Sequence, residues 1–170
     1  MKGAARSKEV KPPAVAFRSA TLADRAWLFE LKRATMRVYV ERVYGWDEAA
    51  QRQRFDEQFD PTRIRVIQCA GRDAGLLEFE EQEAAFFLAR IEVLPAQQNR
   101  GIGSAAIRSV IEQAAQKGKG VWLQVLRPNP ARMLYERLGF VVFAETATHF
   151  KMTRPPPEKV DPSGTGQARK

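Results

Sequence analysis

The residues whose types and spacing best suit chemistry are two glycines in a short polar segment, Gln98-Asn99-Arg100-Gly101-Ile102-Gly103-Ser104. An amphipathic helix begins there, because the apolar residues that follow recur at helical spacing: Ala106, Ile107, Val110, Ile111 and Ala114. Free backbone N–H groups and the positive end of a helix dipole attract an anion, and glycine lets a phosphate approach the main chain. The segment has neither the Gly-Lys-Ser/Thr of a Walker loop nor the third glycine of a Rossmann fingerprint. It therefore predicts an anion-binding turn of another kind.

The elements that must position this turn form a mixed α/β pattern. An apolar strand leads into the turn, and Pro95 ends its ladder because proline has no N–H to donate. Periodicity and turn residues predict the order β-α-α-β-β-β-α-β-α-β-β. The predicted strands span 15–19, 63–70, 76–80, 85–94, 121–126, 140–145 and 148–152, and the predicted helices follow Thr21, Asp47, Gly101 and Pro130. Residues 71–75 are predicted to form the turn between the second and third strands.

Composition favours a soluble globular protein over a membrane or secreted protein. The 170 residues suit one domain, and 44% hydrophobic with 28% charged residues is ordinary for that class. No apolar run approaches the roughly 18 residues of a membrane span, and the basic N-terminus lacks the apolar core of a secretory signal. The single cysteine, Cys69, permits no internal disulfide and is expected to be a small core residue. We therefore expect a cytoplasmic location.

The tails differ from the body of the chain. Residues 1–13 are polar and end in two prolines, and residues 155–170 begin with three prolines and are rich in Ser, Gly and Thr. Both are expected to be disordered, with a single domain over 14–154. The net charge of +8 lies partly in these tails, and elsewhere basic residues alternate with acidic ones. No basic helix interleaved with stacking aromatics is visible, so nucleic-acid binding is the weaker interpretation of the charge.

Two stretches resemble the signatures of the GNAT superfamily of N-acyltransferases. Gln-x-x-Gly-x-Gly at 98–103, after a strand ending Ile-x-Val-x-Pro, resembles the family's acetyl-CoA loop. The stretch 129–140, Asn-Pro-Ala-Arg-Met-Leu-Tyr-Glu-Arg-Leu-Gly-Phe, resembles its second signature. The two occur in the family's order with a strand between them, and the pattern can be laid on the chain from about Phe17 to Arg154.

The resemblance implies a fold and a place for acetyl-CoA. The fold is α/β (α+β): a mixed, mostly antiparallel twisted sheet with a splayed parallel strand pair and helices on both faces. The pantetheine arm would bind the main chain of Ile91, Glu92 and Val93 as a missing strand, with the Val93 N–H reaching the thioester oxygen. The side chains of Gln98 and Arg100 would support the pyrophosphate. Its main-chain donors would be the amides of Asn99, Arg100, Gly101, Ile102, Gly103 and Ser104.

The resemblance also implies catalytic roles. Tyr135 would be the general acid that returns a proton to the leaving thiolate, since a phenol is protonated at neutral pH. Its place on the apolar stripe of its helix leaves a core residue as the alternative. Asn129 would orient cofactor amides or a water. However, it stands two residues before Ala131, where the family commonly has three, and beside Pro130. Capping of the following helix is therefore an equal alternative.

The general base is the least constrained role. Glu92 lies on the cofactor strand, where related enzymes sometimes place a carboxylate near the acceptor amine. Strand alternation sends it to the face opposite Ile91 and Val93, and the sequence does not say which face holds the acceptor. Glu78, Glu80 and Glu41 are rivals, and a chain of waters could serve instead. The only histidine, His149, is a less favoured candidate for the base because it lies in the last predicted hairpin, where a histidine is more often structural.

Aromatic residues between the first two helices are candidates for the acceptor pocket, a region that GNAT-like enzymes use in this way: Tyr39, Tyr44 and Trp46. Ordinary packing at a helix–helix corner explains them equally well. Arg37 and Arg42 nearby favour an acidic group on the acceptor. One histidine and one cysteine give no metal-ligand spacing, so no metal is expected.

The sequence thus predicts an N-acetyltransferase that transfers an acetyl group from acetyl-CoA directly to a primary amine in a ternary complex. A CoA-binding sensor of the same fold and a basic nucleic-acid-binding module are the alternatives. Peptide N-termini, lysines, amino acids, polyamines and antibiotics all suit such a scaffold as acceptors. No membrane partner is expected, and a homodimer is left open.

Overall fold

A computed structural model describes residues 13–157 of the chain. The expected arm (1–13) and tail (155–170) lie almost entirely outside this range. The strands are β1 Val15–Ser19, β2 Ile64–Cys69, β3 Arg72–Glu81, β4 Ala85–Val93, β5 Gly120–Leu126, β6 Val141–Glu145 and β7 His149–Arg154. The helices are α1 Arg25–Tyr44, α2 Glu48–Gln58, α3 Ile102–Gln116 and α4 Ala131–Arg137. The predicted order of strands and α-helices is confirmed, with short 3-10 turns added at 22–24, 61–63 and 95–97.

The sheet is almost wholly antiparallel, in the strand order β1-β2-β3-β4-β5-β7-β6. Its single parallel pair joins β4 to β5, and this pairing runs only from Ala85 opposite Gly120 to Leu88 opposite Leu123. Both strands continue beyond these pairs, β4 to Val93 and β5 to Leu126. The two strands therefore part after Leu88, which is the splay that the resemblance implied.

A β-bulge in β4 lies at the point where the strands part. Glu78 of β3 faces Arg90 while the next residue, Phe79, faces Leu88, so Ala89 is the extra residue. Such an insertion reverses the alternation of side chains along a strand. Leu88 therefore packs into one core, whereas Glu92 points to the other side of the sheet instead of following it.

Helices cover both faces of the sheet, each over its own core. On one face α3 buries the predicted stripe of Ala106, Ile107, Val110 and Ala114 against β4 and β5, and side chains of α4 join this cluster. On the other face α1 and α2 pack on β2 and β3 through a separate apolar cluster. No helix within residues 13–157 is both long and apolar enough to span a membrane.

The turn between β2 and β3 is shorter than predicted. Ala70 and Gly71 alone form it, both with positive φ (49° and 73°), and β3 begins at Arg72. The prediction over 71–75 was wrong because Gly75 does not serve a turn. It lies inside β3, where a Cβ would stand 2.1 Å from the carbonyl oxygen of Glu92. Glycine is required there because two backbones approach closely.

Candidate active site

A cavity of about 560 Å³ opens where β4 and β5 part. Its walls are α1, the end of β4, the turn before α3, and α4 with the loop before it. It brings together most of the predicted site residues: Tyr39, Ile91, Glu92, Val93, Gln98, Asn99, Gly101, Ile102, Gly103, Ser104, Asn129 and Tyr135. Arg100, Tyr44 and Trp46 do not line it.

The turn before α3 presents a set of free amides to this cavity. Asn99 and Gly101 both adopt left-handed backbone conformations, with φ of 60° and 81°. Within the part of the chain that the structure describes, none of the N–H groups from Asn99 to Ser104 donates a hydrogen bond to another protein atom. The first N–H group of α3 that does so is that of Ala105, which donates to the Gly101 oxygen at 2.9 Å. Successive free amides at a helix N-terminus form an anion-binding concavity. These residues therefore fit a pyrophosphate.

The Gln98 side chain holds the turn before α3 in place. Its Nε2 donates to the Val93 carbonyl oxygen at 2.9 Å, which ties the turn to the end of β4. Gln98 thus shapes the anion-binding turn and fills one acceptor on the strand beside it.

The edge of β4 that faces the gap carries backbone groups for which residues 13–157 provide no strand partner. Leu94 donates to the Ala74 oxygen at 2.8 Å, so by antiparallel alternation Leu76 and Glu92 exchange the next hydrogen bonds. The N–H groups of Ile91 and Val93 consequently point away from β3, toward the gap left by β5. Of the three residues predicted to bind pantetheine through the main chain, Ile91 and Val93 present their groups to the gap and Glu92 does not. An extended amide-bearing chain fits this edge.

Glu92 directs its carboxyl group to the α1 face of the sheet. It is only 6% exposed, and its Oε2 accepts a hydrogen bond from the Thr35 hydroxyl at 2.9 Å. Burial raises the pKa of the Glu92 carboxyl, and the Thr35 hydrogen bond, Arg90 and Lys32 partly oppose that rise. A carboxyl whose pKa is raised toward neutrality is suited to accept a proton in catalysis.

The rival carboxylates are engaged elsewhere. Glu78 is buried in a cross-strand ion pair with Arg90 and also contacts Arg63 at 3.4 Å. Glu80 pairs with the same Arg63 at 2.9 Å, and Glu41 is exposed on α1. None of the three lines the cavity. Glu92 is thus the carboxylate that the structure brings to the site.

The remaining titratable candidates also lie away from the cavity. His149 begins β7, where its Nδ1 lies 2.9 Å from the Thr148 hydroxyl and burial lowers its pKa. Cys69 ends β2 and is half-buried against the α3 core. Within residues 13–157, no group of three or more His, Cys, Asp or Glu side chains is arranged to hold a metal ion.

Tyr135 is both a core residue and a wall of the cavity. It is 7% exposed and packs edge-to-face on Phe140, with ring centroids 5.9 Å apart. Burial, with a smaller effect of the Glu92 charge, raises its pKa to about 12, so the phenol is protonated at neutral pH. Its hydroxyl has no hydrogen-bond partner among residues 13–157 and remains available to a bound molecule.

Asn129 stands directly before Pro130, the N-cap residue of the helix that carries Tyr135. Its Oδ1 accepts from the Ala131 N–H at 2.9 Å, which is the alternative that the short spacing and Pro130 indicated. Its Nδ2 lies 3.9 Å from the sulfur of Met36 on α1, so the side chain also spans the mouth of the cavity. Asn129 therefore positions α4 against α1.

The predicted acceptor aromatics separate in space. Tyr39 faces the cavity from α1, whereas Tyr44 is 62% exposed at the end of that helix. Trp46 follows the helix, where its Nε1 donates to Glu48 at 2.7 Å. Sequence reasoning missed Thr35 and Met36, which also line the cavity; the spacing of Thr35 and Tyr39 by one helical turn is the signal that could have found them.

Comparisons with known proteins agree with this geometry. Residues 27–140 match the Acetyltransferase (GNAT) family. A segment of 59 residues is 41% identical to [Ribosomal protein bS18]-alanine N-acetyltransferase of Haemophilus influenzae, and it covers 34% of this chain and 39% of that protein. The chain therefore spans well under half the length of this curated relative.

Solved structures share the fold at low sequence identity. The PaiA N-acetyltransferase of Thermoplasma acidophilum, in complex with coenzyme A, matches with a TM-score of 0.68 and 16% identity over 84% of this chain and 99% of that one. The ribosomal-protein-S18-alanine N-acetyltransferase of Escherichia coli matches with a TM-score of 0.60 and 20% identity over 84% and 94%. With the family match extending over most of the chain, including β4, the anion-binding turn and α4, this protein belongs to the GNAT family of acetyltransferases.

Proposed function

We propose that this protein is an N-acetyltransferase that transfers an acetyl group from acetyl-CoA to a primary amine. The observation that carries the proposal is the convergence on one cavity of a free-amide turn, an unpaired strand edge and a buried carboxyl group. Membership of the GNAT family supports the same chemistry. Acetyl-CoA would supply an activated thioester to this site.

The chain supplies a group for each requirement of the transfer. The amides of 99–104 bind the pyrophosphate, and the edge of β4 at Ile91 and Val93 binds the amide-bearing arm. The Val93 N–H polarises the thioester carbonyl. Glu92 accepts a proton from the amine through Oε1, since Oε2 is held by Thr35. Tyr135 donates a proton to the departing thiolate. Because Cys69 lies outside the cavity, the amine attacks the thioester directly in a ternary complex.

The first acceptors to test are peptides with a free N-terminal amine. Two of the proteins named above, those of Haemophilus influenzae and Escherichia coli, are alanine N-acetyltransferases of a ribosomal protein, which supports this choice. Lysine side chains, polyamines and amino acids form the comparison set, because the same scaffold serves many amines. We further propose that one domain over 14–154 performs the reaction, in the cytoplasm.

Two measurements on the purified chain test the proposal. Acetyl-CoA is expected to raise the melting temperature in a concentration-dependent way. Each amine is then offered with acetyl-CoA, and free thiol and acetylated product are measured together. Equal amounts of thiol and product support transfer, whereas binding without thiol release from any amine indicates a CoA-binding sensor. Failure to bind acetyl-CoA or CoA would contradict both.

A further inference from the structure

Two of the oxygens near the Thr35 hydroxyl are equally close to it, and they cannot both receive its proton. Its Oγ1 is 2.9 Å from Glu92 Oε2 and 2.9 Å from the Leu31 carbonyl oxygen. A hydroxyl has one proton to donate and can accept as well. With an ionised Glu92, the proton of Thr35 points to the carboxylate. With a protonated Glu92, the carboxyl can donate to Oγ1 while Thr35 donates to Leu31.

This hydroxyl is the one hydrogen-bond partner of the Glu92 side chain within residues 13–157. The charged and titratable groups facing Glu92 are Lys32 of α1, Arg90 of β4, Glu78 of β3 and Tyr135 of α4. None forms an ion pair with it within 4.0 Å, and Arg90 is engaged by Glu78. Thr35 is therefore the residue that fixes the orientation of the Glu92 carboxyl group.

The helix does not depend on this hydroxyl. The Leu31 oxygen also lies one helical turn before the Thr35 N–H in α1, so it keeps its backbone partner when the hydroxyl turns to Glu92. The Thr35 hydroxyl can thus move its hydrogen bond from the Leu31 oxygen to Glu92 without leaving a buried acceptor unpaired. A valine has nearly the same shape but can neither donate nor accept.

We propose that Thr35 is a positioning residue: its hydroxyl holds Oε2 of Glu92 in both protonation states and leaves Oε1 facing the cavity. This inference rests on the proposed function, in which Glu92 is the base. The hydrogen bond is stronger to the ionised carboxylate than to the neutral acid. Its loss therefore favours the protonated, inactive form of the base.

The test compares Thr35→Val, Thr35→Ser and Thr35→Ala with a matched control, Thr153→Val. Thr153 also offers its hydroxyl to a backbone oxygen, that of Val121 at 3.4 Å, but lies on β7. The first readout is the pKa of the Glu92 carboxyl from ¹³C NMR of labelled glutamate, assigned by the signal that disappears in Glu92→Gln. The second readout is the pH dependence of kcat/KM with the best acceptor found. The melting temperature and CoA affinity confirm that each variant is folded.

Thr35→Val and Thr35→Ala are expected to raise the Glu92 pKa by about one unit and to move the acid limb of kcat/KM by the same amount. Below that limb the rate falls about tenfold, and well above it the rate is nearly unchanged. Thr35→Ser and Thr153→Val are expected to behave as the parent protein. If the folded valine and alanine variants leave the Glu92 pKa unchanged, the inference is wrong.

The two proposals fail in different ways in this experiment. A shifted Glu92 pKa with an unshifted pH profile supports the hold of Thr35 on the carboxyl and contradicts the role of Glu92 as base. A parent protein that binds CoA but transfers no acetyl group contradicts the proposed function alone, because the NMR titration needs no acceptor. A serine variant that behaves like the valine variant assigns the effect to packing and overturns the inference.

Discussion

Replacing Glu92 with glutamine should separate two effects of the buried carboxyl group: its cost in stability and its proposed role as the base. The glutamine oxygen can still accept from the Thr35 hydroxyl, since the two side chains have the same shape. What is removed is a charge that is only 6% exposed and has one hydrogen bond where water would provide several. Burying a charge that lacks hydrogen-bond partners costs more than burying a neutral amide of the same shape, by about 1–3 kcal/mol. We expect Glu92→Gln to raise the free energy of unfolding by about that amount at pH 8.

The pH dependence of this gain follows from the direction of the pKa shift. Burial raises the pKa of Glu92 in the folded state, so the folded protein holds that proton more tightly than the unfolded chain does. The stability that the protonated group contributes is complete below the unfolded-state pKa, about 4.3, and is lost as the pH rises through the folded-state pKa. The advantage of the glutamine variant should therefore be small near pH 4 and grow with pH.

Urea unfolding at several pH values measures the difference in the free energy of unfolding between Glu92→Gln and the parent protein. In thermal unfolding, each kcal/mol of that difference should move the melting temperature by about 2–4 °C. Acetyl transfer should fall about 10²–10⁴-fold, with CoA affinity preserved. Glu80→Gln is the control, because its side chain is 41% exposed on the same face of the sheet and should change stability by less than about 0.5 kcal/mol. A stability gain that does not vary with pH would refute the argument from burial. Retained turnover would refute the role of Glu92 as base.

Three further substitutions test the rest of the site. Tyr135→Phe should slow transfer about 10²–10⁴-fold with little change in CoA affinity or stability, because its hydroxyl has no protein partner among residues 13–157; unchanged turnover would contradict its role as acid. Gly75→Ala should lower the free energy of unfolding in urea by about 1–3 kcal/mol and weaken CoA binding in calorimetry, since the new Cβ would stand 2.1 Å from the Glu92 carbonyl oxygen. Unchanged stability and CoA binding would contradict this prediction. Asn129→Ala should lose about 1 kcal/mol with the helix cap, whereas Asn129→Ser should keep both stability and turnover; loss of turnover in a stable serine variant would assign the amide a direct role.

The sequence was sufficient to place the turn before α3 because the determinants of this turn are local. Pro95 ends the pairing of β4 wherever the strand lies in the sheet, and Gly101 supplies the positive φ at the start of α3. The apolar stripe of α3 likewise needs only its own spacing to indicate a buried face. These features were predicted residue by residue, and the helix lies as expected.

The surroundings of Glu92 could not be predicted from local signals. Thr35 stands 57 residues before Glu92, and their contact depends on how α1 crosses the end of β4. Tyr44 and Trp46 carried the same aromatic signal as Tyr39, but only Tyr39 lies on the turn of α1 that faces the cavity. The prediction of a turn at Gly75 was wrong because a glycine in a strand and a glycine in a turn cannot be distinguished without the neighbouring backbone.

The bulge at Ala89 connects the two halves of the proposed chemistry. Phe86 and Leu88 lie in the α3 core before it, and Val93 lies in the same core after it, so alternation without the extra residue would have sent Glu92 there instead. The bulge coincides with the last pairs between β4 and β5, where the strand gains a free edge. One inserted residue thus places a carboxyl group on the α1 face and unpaired amides in the gap, within the same three residues of strand. In the proposed mechanism, the carboxyl group of Glu92 and the cofactor arm can then meet at one point without any side chain leaving its own face of the sheet.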